Sequence, residues 1–193
     1  FEFPELAREF TIVSSQTQLS EESLKHIKNR LKEVKRLMII PGQQRPNPVL
    51  QNILDQLAKN QHVVVVADTI SNLQGEHSIT LHDHWLGKED LHDALSPDLV
   101  ISFGKSLISK SLKQFLRKQQ ISHWHIQSEG IAKDTFQHLT RILACSPLGF
   151  LTWLSQNLPP QESSFAGRWA GLEKKVQEAI PQIFESTEFG EYG

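Results

Sequence analysis

The sequence has few of the residues that mark a secreted or membrane-bound protein. It contains one cysteine, Cys145, so it has no disulfide framework, and it shows no Cys-x-x-Cys or Cys/His metal spacing. No apolar run approaches the roughly 20 residues that a helix needs to cross a bilayer. Residues 1–10 lack the charged start and apolar core of a signal peptide. We therefore expect a soluble, cytoplasmic protein without a membrane span.

The chain also lacks an excess of positive charge. Its 20 Lys and Arg residues stand against 22 Asp and Glu residues, which gives a net charge of -2. A nucleic-acid-binding domain usually carries a basic excess gathered in one patch. The basic residues over 25–36 alternate with apolar positions on a predicted helix, and this pattern favours a solvated helix face over an anion site. We expect no nucleic-acid partner.

Short apolar runs alternate with segments of helical periodicity along most of the chain. The predicted strands are 37–40, 62–67, 98–103, 122–127 and 138–144, with a hint of another at 79–81. The predicted helices are 20–34, 47–59, 89–95, 107–117, 146–158 and 165–180. This alternation predicts an α/β fold, namely a doubly wound, Rossmann-like parallel sheet of five to six strands with helices on both faces.

The chain divides by sequence pattern into three parts. Residues 1–19 form a predicted extended lead-in, residues 20–158 the α/β domain, and residues 159–193 a linker, a C-terminal helix and a tail. The first residue is Phe1 and the only methionine is Met38. We therefore expect that processing or excision has removed the true start.

Ligands of doubly wound sheets bind beyond the carboxyl ends of the strands, but the loops there do not match a nucleotide site. The loop after residue 41 has a single glycine where a dinucleotide fingerprint needs G-x-G-x-x-G. Asp68 stands where a ribose-binding acid would be, yet without the glycines it is interpreted as a helix or turn cap. Residues 104–106 lack the upstream glycine of a P-loop.

Two histidine pairs, at 82–84 and 123–125, have the H-x-H spacing. On a strand this spacing puts both rings on one face, where they can bind zinc if a third ligand is present. No third ligand is evident nearby, and we favour a structural role. A G-x-S-x-G motif is absent, and Cys145 lies in an apolar setting beside a proline. We assign no catalytic and no metal-binding residue to the chain.

Five segments carry a resemblance to a known family. In this order and spacing they are 37–43 (LMIIPGQ), 67–71 (ADTIS), 83–86 (DHWL), 98–104 (DLVISFG) and 109–113 (SKSLK). Through them, residues 36–155 resemble the central domain of 2-succinyl-5-enolpyruvyl-6-hydroxy-3-cyclohexene-1-carboxylate synthases, the thiamine-diphosphate enzymes of menaquinone biosynthesis.

The resemblance implies the middle domain of a three-domain enzyme that decarboxylates 2-oxoglutarate and adds the succinyl unit to isochorismate. In that family an N-terminal domain supplies a catalytic glutamate, and a C-terminal domain binds Mg²⁺ and thiamine diphosphate through a GDG…N motif. No GDG occurs here, so both cofactors are expected in the full-length enzyme and none in this fragment, which we expect to be inactive alone. The implied partners are the N- and C-terminal domains, in a full-length homo-oligomer.

The family's central domain also offers a Lys-Arg pair to substrate carboxylates. Lys110 matches the lysine, whereas Ser111 stands where arginine is usual, and serine cannot make the bidentate contact of a guanidinium. Lys105 and Lys113 are the candidates to substitute for it. The expected substrate-binding positions are therefore Lys110, Lys105 and Ser111, with no cofactor-binding residue.

Two other functions remain open at this point. The chain is alternatively a nucleotide- or flavin-binding, Rossmann-like module of another thiamine-diphosphate enzyme, because central domains of some related enzymes bind FAD. The glycine-rich loop that would favour this function is absent. A third alternative is an interaction domain whose helices dock onto neighbouring domains.

Overall fold

The computed structural model describes residues 19–186. Its strands are β1 (Leu37–Pro41), β2 (Val63–Val66), β3 (Ser78–Ile79), β4 (Leu99–Phe103), β5 (Ser122–Ile126) and β6 (Leu139–Leu143). Its helices are α1 (Glu21–Leu31), α2 (Pro48–Ala58), α3 (His92–Leu95), α4 (Lys110–Lys118), α5 (Pro147–Asn157) and α6 (Phe165–Ser186). The predicted lead-in, apart from Leu19, and the tail after Ser186 lie outside the described residues.

The six strands form one parallel sheet in the order β3-β2-β1-β4-β5-β6. Every residue of β1, β2 and β4 is buried, as expected for strands that are covered on both faces. In the centre of the sheet, Ile39 lies opposite Val65 on one side and Ile101 on the other. This strand order is that of the doubly wound Rossmann fold, so the predicted architecture is confirmed, with six strands.

Two hydrophobic cores fill the space between the sheet and its helices. Alternate residues of β1 serve different cores: Leu37 and Ile39 face the first, and Met38 and Ile40 face the second. The first core is covered by α1, α2 and α5, and the second by α3, α4 and α6. The period-2 pattern of β1 thus explains how helices come to lie on both faces.

Side chains at the start of several helices bind the free backbone N–H groups there. Ser20 accepts a hydrogen bond from the N–H of Ser23 at 3.2 Å, as predicted for the cap of α1. Asn47 accepts from Leu50 at the start of α2, at 3.1 Å. Pro48 and Pro147 occupy the first turns of α2 and α5, where a missing N–H costs least.

Several predicted helices differ from the structure in their bounds. The predicted helix 20–34 ends at Leu31, and the predicted helix 165–180 continues to Ser186. The predicted helix 107–117 begins only at Lys110, because the N–H groups of Ile108 and Ser109 are held by the Asp68 side chain instead of entering a helix. The predicted helix 89–95 is divided into a 3-10 turn, Glu89–Leu91, and the four-residue α3.

The helix after the predicted linker, α6, packs against the second core. Phe165 and Trp169 are buried there, and the N–H of Ala166 donates to the carbonyl of Gln61 before β2. The division of the chain at residue 158 stays a prediction. None of the helices in residues 19–186 is both long enough and apolar enough to cross a membrane.

Candidate functional site

The carboxyl ends of β1 and β4 meet at the centre of the sheet, where chain connections depart in opposite directions. In doubly wound folds, ligands enter the crevice at this point. Here the two loops bind each other: the Gly42 N–H donates to Phe103 O at 2.7 Å, Gln43 N–H to Ser106 O at 2.9 Å, and Lys105 N–H to Gln43 O at 2.9 Å. These backbone groups are thereby engaged within the protein and are not offered to a pyrophosphate.

The glycines of these loops are explained by the same close packing. A Cβ on Gly42 would lie 2.5 Å from the carbonyl oxygen of Lys105. Gly104 has φ +81°, a conformation that L residues rarely adopt. Both glycines therefore let two loops approach each other.

Asp68, the residue interpreted as a cap, acts at a distance along the chain. It makes no side-chain cap for the 3-10 turn Thr69–Ser71 that follows it. Its Oδ2 instead accepts the N–H groups of Ile108 at 2.5 Å and Ser109 at 3.0 Å, about 40 residues further on. The local interpretation was wrong, because the topology brings the loop before α4 beside the end of β2.

Asp83 binds the same segment from the 3-10 turn His82–His84. Its Oδ1 accepts the hydroxyl of Ser109 at 2.6 Å and the hydroxyl of Ser111. Burial raises the pKa of the Asp83 carboxyl, but the two serine hydrogen bonds and the nearby His82 and His84 outweigh burial and hold this pKa below its usual range. Asp83 is therefore ionised at neutral pH.

The amino end of α4 thus already faces two carboxylates of the protein. A helix amino end attracts anions through its free N–H groups and its dipole. Asp68 takes the two N–H groups just before the helix, and Ser109 accepts the N–H of Leu112 at 3.0 Å. Three of the N–H groups at this end are therefore already bound by the protein's own side chains.

The cations predicted for this role lie at the same edge. Lys105, in the loop after β4, and Lys110, the first residue of α4, are both exposed. Lys113 is partly buried and donates to the carbonyl of Leu107 at 3.3 Å. Ser111 is partly buried and its hydroxyl donates to Asp83. Lys105 and Lys110 therefore face solvent, whereas Lys113 and Ser111 make hydrogen bonds within the domain.

A second polar cluster, missed at the sequence level, lies where β4 and β5 run side by side. Ser102 Oγ is 2.7 Å from His123 Nε2 and 2.9 Å from His125 Nδ1. Burial lowers the pKa of both rings, to about 4 for His123. A hydroxyl has one hydrogen to donate and two lone pairs to accept with, so Ser102 can hydrogen-bond both neutral rings at once. The two histidines share a face as predicted, with Ser102 as their partner.

The signal that could have found this cluster is the strand register. Ser102 and His125 are aligned partners across β4 and β5, and His123 is two residues from His125 on the same face. A cavity of about 20 Å³ adjoins Ser102 and His125 and is also lined by Lys105 and Lys133. This volume admits about one water molecule and no larger ligand.

Two further sequence candidates, Cys145 and His82, make none of the contacts described above. Cys145 is 5% exposed, and burial raises the pKa of its thiol to about 11, so it is not a nucleophile at neutral pH. His82 is buried, and its ring nitrogens have no hydrogen-bond partner among residues 19–186. Within that part of the chain, no group of three or more His, Cys, Asp or Glu side chains could hold a metal ion.

These features define a doubly wound domain whose central crevice is closed by its own backbone and whose carboxyl edge presents exposed lysines, among them Lys105 and Lys110. Comparison with known families agrees with this class. Residues 8–193 match the family described as the middle domain of thiamine pyrophosphate enzymes. The chain therefore belongs to this family of middle domains.

Within the family, the chain is similar to synthases of the kind that the sequence segments indicated. It is 32% identical over 178 residues to the 2-succinyl-5-enolpyruvyl-6-hydroxy-3-cyclohexene-1-carboxylate synthase of Porphyromonas gingivalis, covering 88% of this chain and 31% of that protein. It is 33% identical over 171 residues to the synthase of the same name from Cytophaga hutchinsonii, covering 86% of this chain and 29% of the relative. The expected resemblance is confirmed.

A third relative, from Christiangramia forsetii, is a synthase of the same name. It is 37% identical to this chain over 125 residues, which cover 61% of this chain and 22% of that protein. The chain thus spans less than a third of the length of these curated relatives.

The described residues do not fit a thiamine-pyrophosphate cradle. Such a group needs carboxylate and carbonyl oxygens for its magnesium ion. The carboxylates at the carboxyl edge, Asp68 and Asp83, already accept hydrogen bonds from protein donors. The chemistry available at this edge is the binding of anions by exposed ammonium groups.

Proposed function

We propose that this chain is the middle domain of a synthase that decarboxylates 2-oxoglutarate and adds the succinyl unit to isochorismate. Thiamine diphosphate and Mg²⁺ would be held by the N- and C-terminal domains of the same enzyme, which would act as a homo-oligomer. The names of the relatives support this assignment. The middle domain would be largely structural, and Lys110 would bind a substrate carboxylate.

The proposed role of Lys110 rests on one observation. At the carboxyl edge, Asp68 accepts the two N–H groups just before α4 and Asp83 binds the Ser109 hydroxyl, while Lys105 and Lys110 are exposed. Both substrates in the proposed reaction carry carboxylates, and a lysine ammonium binds a carboxylate as a mobile point charge. Because the Ser111 hydroxyl donates to Asp83, Lys105 is the better candidate for the second contact.

The proposal is tested by Lys110→Ala in the full-length enzyme. A hydrogen bond to a charged group contributes about 1.5–3 kcal/mol, so we expect kcat/KM to fall by roughly 10- to 100-fold. Lys59→Ala is the matched control, since Lys59 is an exposed lysine at the C-terminal end of α2, on the opposite edge of the sheet. An unchanged KM and kcat for Lys110→Ala would exclude its role in substrate binding.

The location of the chemistry is tested separately with the 193-residue chain alone. We expect no thiamine-diphosphate-dependent decarboxylation of 2-oxoglutarate, because no cofactor motif is present in its sequence. The full-length enzyme, assayed under the same conditions, is the positive control for the substrate and the cofactor. Turnover by the isolated chain would contradict the assignment of catalysis to the other domains.

A further inference from the structure

We propose that Asp68 and Asp83 are positioning residues that fix the backbone on both sides of Lys110 and so aim its ammonium group. The inference rests on the proposed function of Lys110. It assigns to two acidic residues, from two separate loops, a part in binding an acidic substrate.

The contacts of the two aspartates surround Lys110 in the sequence. Asp83 Oδ1 accepts the hydroxyls of Ser109 and Ser111, the two neighbours of Lys110. Asp68 Oδ2 accepts the N–H groups of Ile108 and Ser109, at 2.5 and 3.0 Å. Three of the four residues 108–111 are therefore bound by these carboxylates, and Lys110 is the one that neither carboxylate contacts.

Helix capping alone does not require this arrangement. Ser109 already supplies the cap of α4 by accepting the N–H of Leu112 at 3.0 Å. Asp68 is only 6% exposed, and removing an ionised carboxylate from water is costly unless its partners are well placed. Two carboxylates thus bind a segment whose helix is already capped. The cost of burying Asp68 there is explained if the exact placement of the segment matters.

The binding affinity of a lysine depends strongly on how its backbone is placed. Its side chain has four flexible carbons and loses considerable rotamer entropy when it binds. The one part of an exposed lysine that the fold can fix is its backbone, and a displacement of about 1 Å at a binding group can cost as much as 100-fold in rate. Fixing residues 108, 109 and 111 restricts the space that Lys110 Nζ can reach.

Electrostatics and positioning predict opposite results for Asp83 variants. If Asp83 acted only through its charge, removing it would favour an incoming carboxylate and lower KM. If Asp83 positions Lys110, Asp83→Ala releases both serines and lowers kcat/KM. Asp83→Asn removes the charge but keeps an oxygen that accepts hydrogen bonds, so it should restore most of the loss.

The decisive experiment is a double-mutant cycle in the full-length enzyme, with steady-state kinetics at varied 2-oxoglutarate and isochorismate. We expect Asp83→Ala to lower kcat/KM about tenfold in the parent and less than twofold in the Lys110→Ala background, because it acts through Lys110. Asp68→Ala should behave in the same way, and Asp68→Asn, which keeps one acceptor for the N–H groups of Ile108 and Ser109, should restore most of the loss. Thermal unfolding of each variant identifies any that fail to fold. If Asp83→Ala is one of them, Ser111→Ala replaces it, because it removes one of the two hydroxyls that Asp83 binds and leaves the Ser109 cap in place.

Asp134→Ala is the matched control. Its carboxylate also accepts two backbone N–H groups, those of His138 at 3.0 Å and Leu139 at 3.1 Å, but in the loop before β6. We expect kcat/KM within twofold of the parent. Equal losses from Asp83→Ala in both backgrounds, or a lowered KM, would overturn the positioning role while leaving Lys110 as a binding residue. No effect of Lys110→Ala would instead overturn the proposed role of Lys110 in substrate binding.

Discussion

Gly104 and Gly42 lie so close that a Cβ on Gly104 would come within 2.9 Å of the Gly42 carbonyl oxygen. The contact joins the loops that follow the two central strands, and three backbone hydrogen bonds surround it. In a nucleotide-binding doubly wound fold, glycines at this place let the backbone approach a phosphate. Here they let one loop approach the other, and the crevice is filled by protein.

The first prediction concerns the stability of this closed crevice. Gly104→Ala adds a Cβ to a residue with φ +81° and presses it against backbone, which cannot move aside cheaply. We expect the free energy of unfolding to fall by about 1–3 kcal/mol, measured by urea denaturation of the 193-residue chain. Gly171→Ala in α6 is the control, because its Cβ would meet no atom within 4 Å, and we expect no loss there, since alanine favours a helix.

The second prediction concerns nucleotides and flavins. Because the N–H groups of Gly42, Gln43 and Lys105 already donate to backbone carbonyls, little remains at the switch point to bind a pyrophosphate. We expect FAD, NAD and ADP to leave the melting temperature of the chain unchanged in a thermal-shift assay. Stabilisation by several degrees with any of them would favour the alternative function as a nucleotide- or flavin-binding module.

The sheet could be predicted from the sequence because its signals are local. Strands such as β2, four consecutive valines, are buried on both faces and stand out as continuous apolar runs. The position of Lys110 at the carboxyl edge followed from the same alternation of strands and helices. The glycine pattern likewise indicated that a nucleotide fingerprint is missing.

The contacts of the site could not be predicted in this way, because they join distant segments. Asp68 binds residues about 40 positions away, and Asp83 binds Ser109 and Ser111 from 26 and 28 positions away. Local sequence preferences predict that an aspartate after a strand caps the next turn. The same long-range contacts explain why α4 begins three residues later than its apolar periodicity predicts.

The third prediction concerns the attachment of α6 to the sheet. Glu173, only 5% exposed, accepts the N–H and the hydroxyl of Thr80, both at 2.9 Å, and the N–H of Leu81 at 3.1 Å. Glu173→Ala leaves these donors without the carboxylate, so we expect a loss of about 2–4 kcal/mol in the free energy of unfolding, measured by urea denaturation. Glu178→Ala removes an exposed partner of Lys174 and should cost less than about 0.5 kcal/mol. Equal effects of the two variants would contradict the anchoring role of Glu173.

The fourth prediction is a loss of stability in acid that originates at His123. In the folded chain, burial and the neighbouring His125 lower the pKa of His123 to about 4, against 6.5 for an unperturbed histidine. Above pH 6.5 the ring is neutral whether the chain is folded or unfolded, and His123 adds no pH dependence. Between pH 6.5 and 4 the unfolded chain takes up a proton that the folded chain does not, so the free energy of unfolding falls as the pH falls. Across this window the effect amounts to about 3 kcal/mol.

His123→Gln tests this origin, because the glutamine amide can still donate a hydrogen bond to Ser102 but takes up no proton. We expect the free energy of unfolding, measured in urea at pH 7.5 and at pH 5.0, to differ less between the two conditions than in the parent chain. His62, His82 and His125 are also buried enough to have lowered pKa values, so part of the pH dependence should remain. His26→Gln, which removes an exposed imidazole on α1, should keep the dependence of the parent. If His123→Gln and His26→Gln retain the same difference between pH 7.5 and 5.0, the acid sensitivity does not arise from His123.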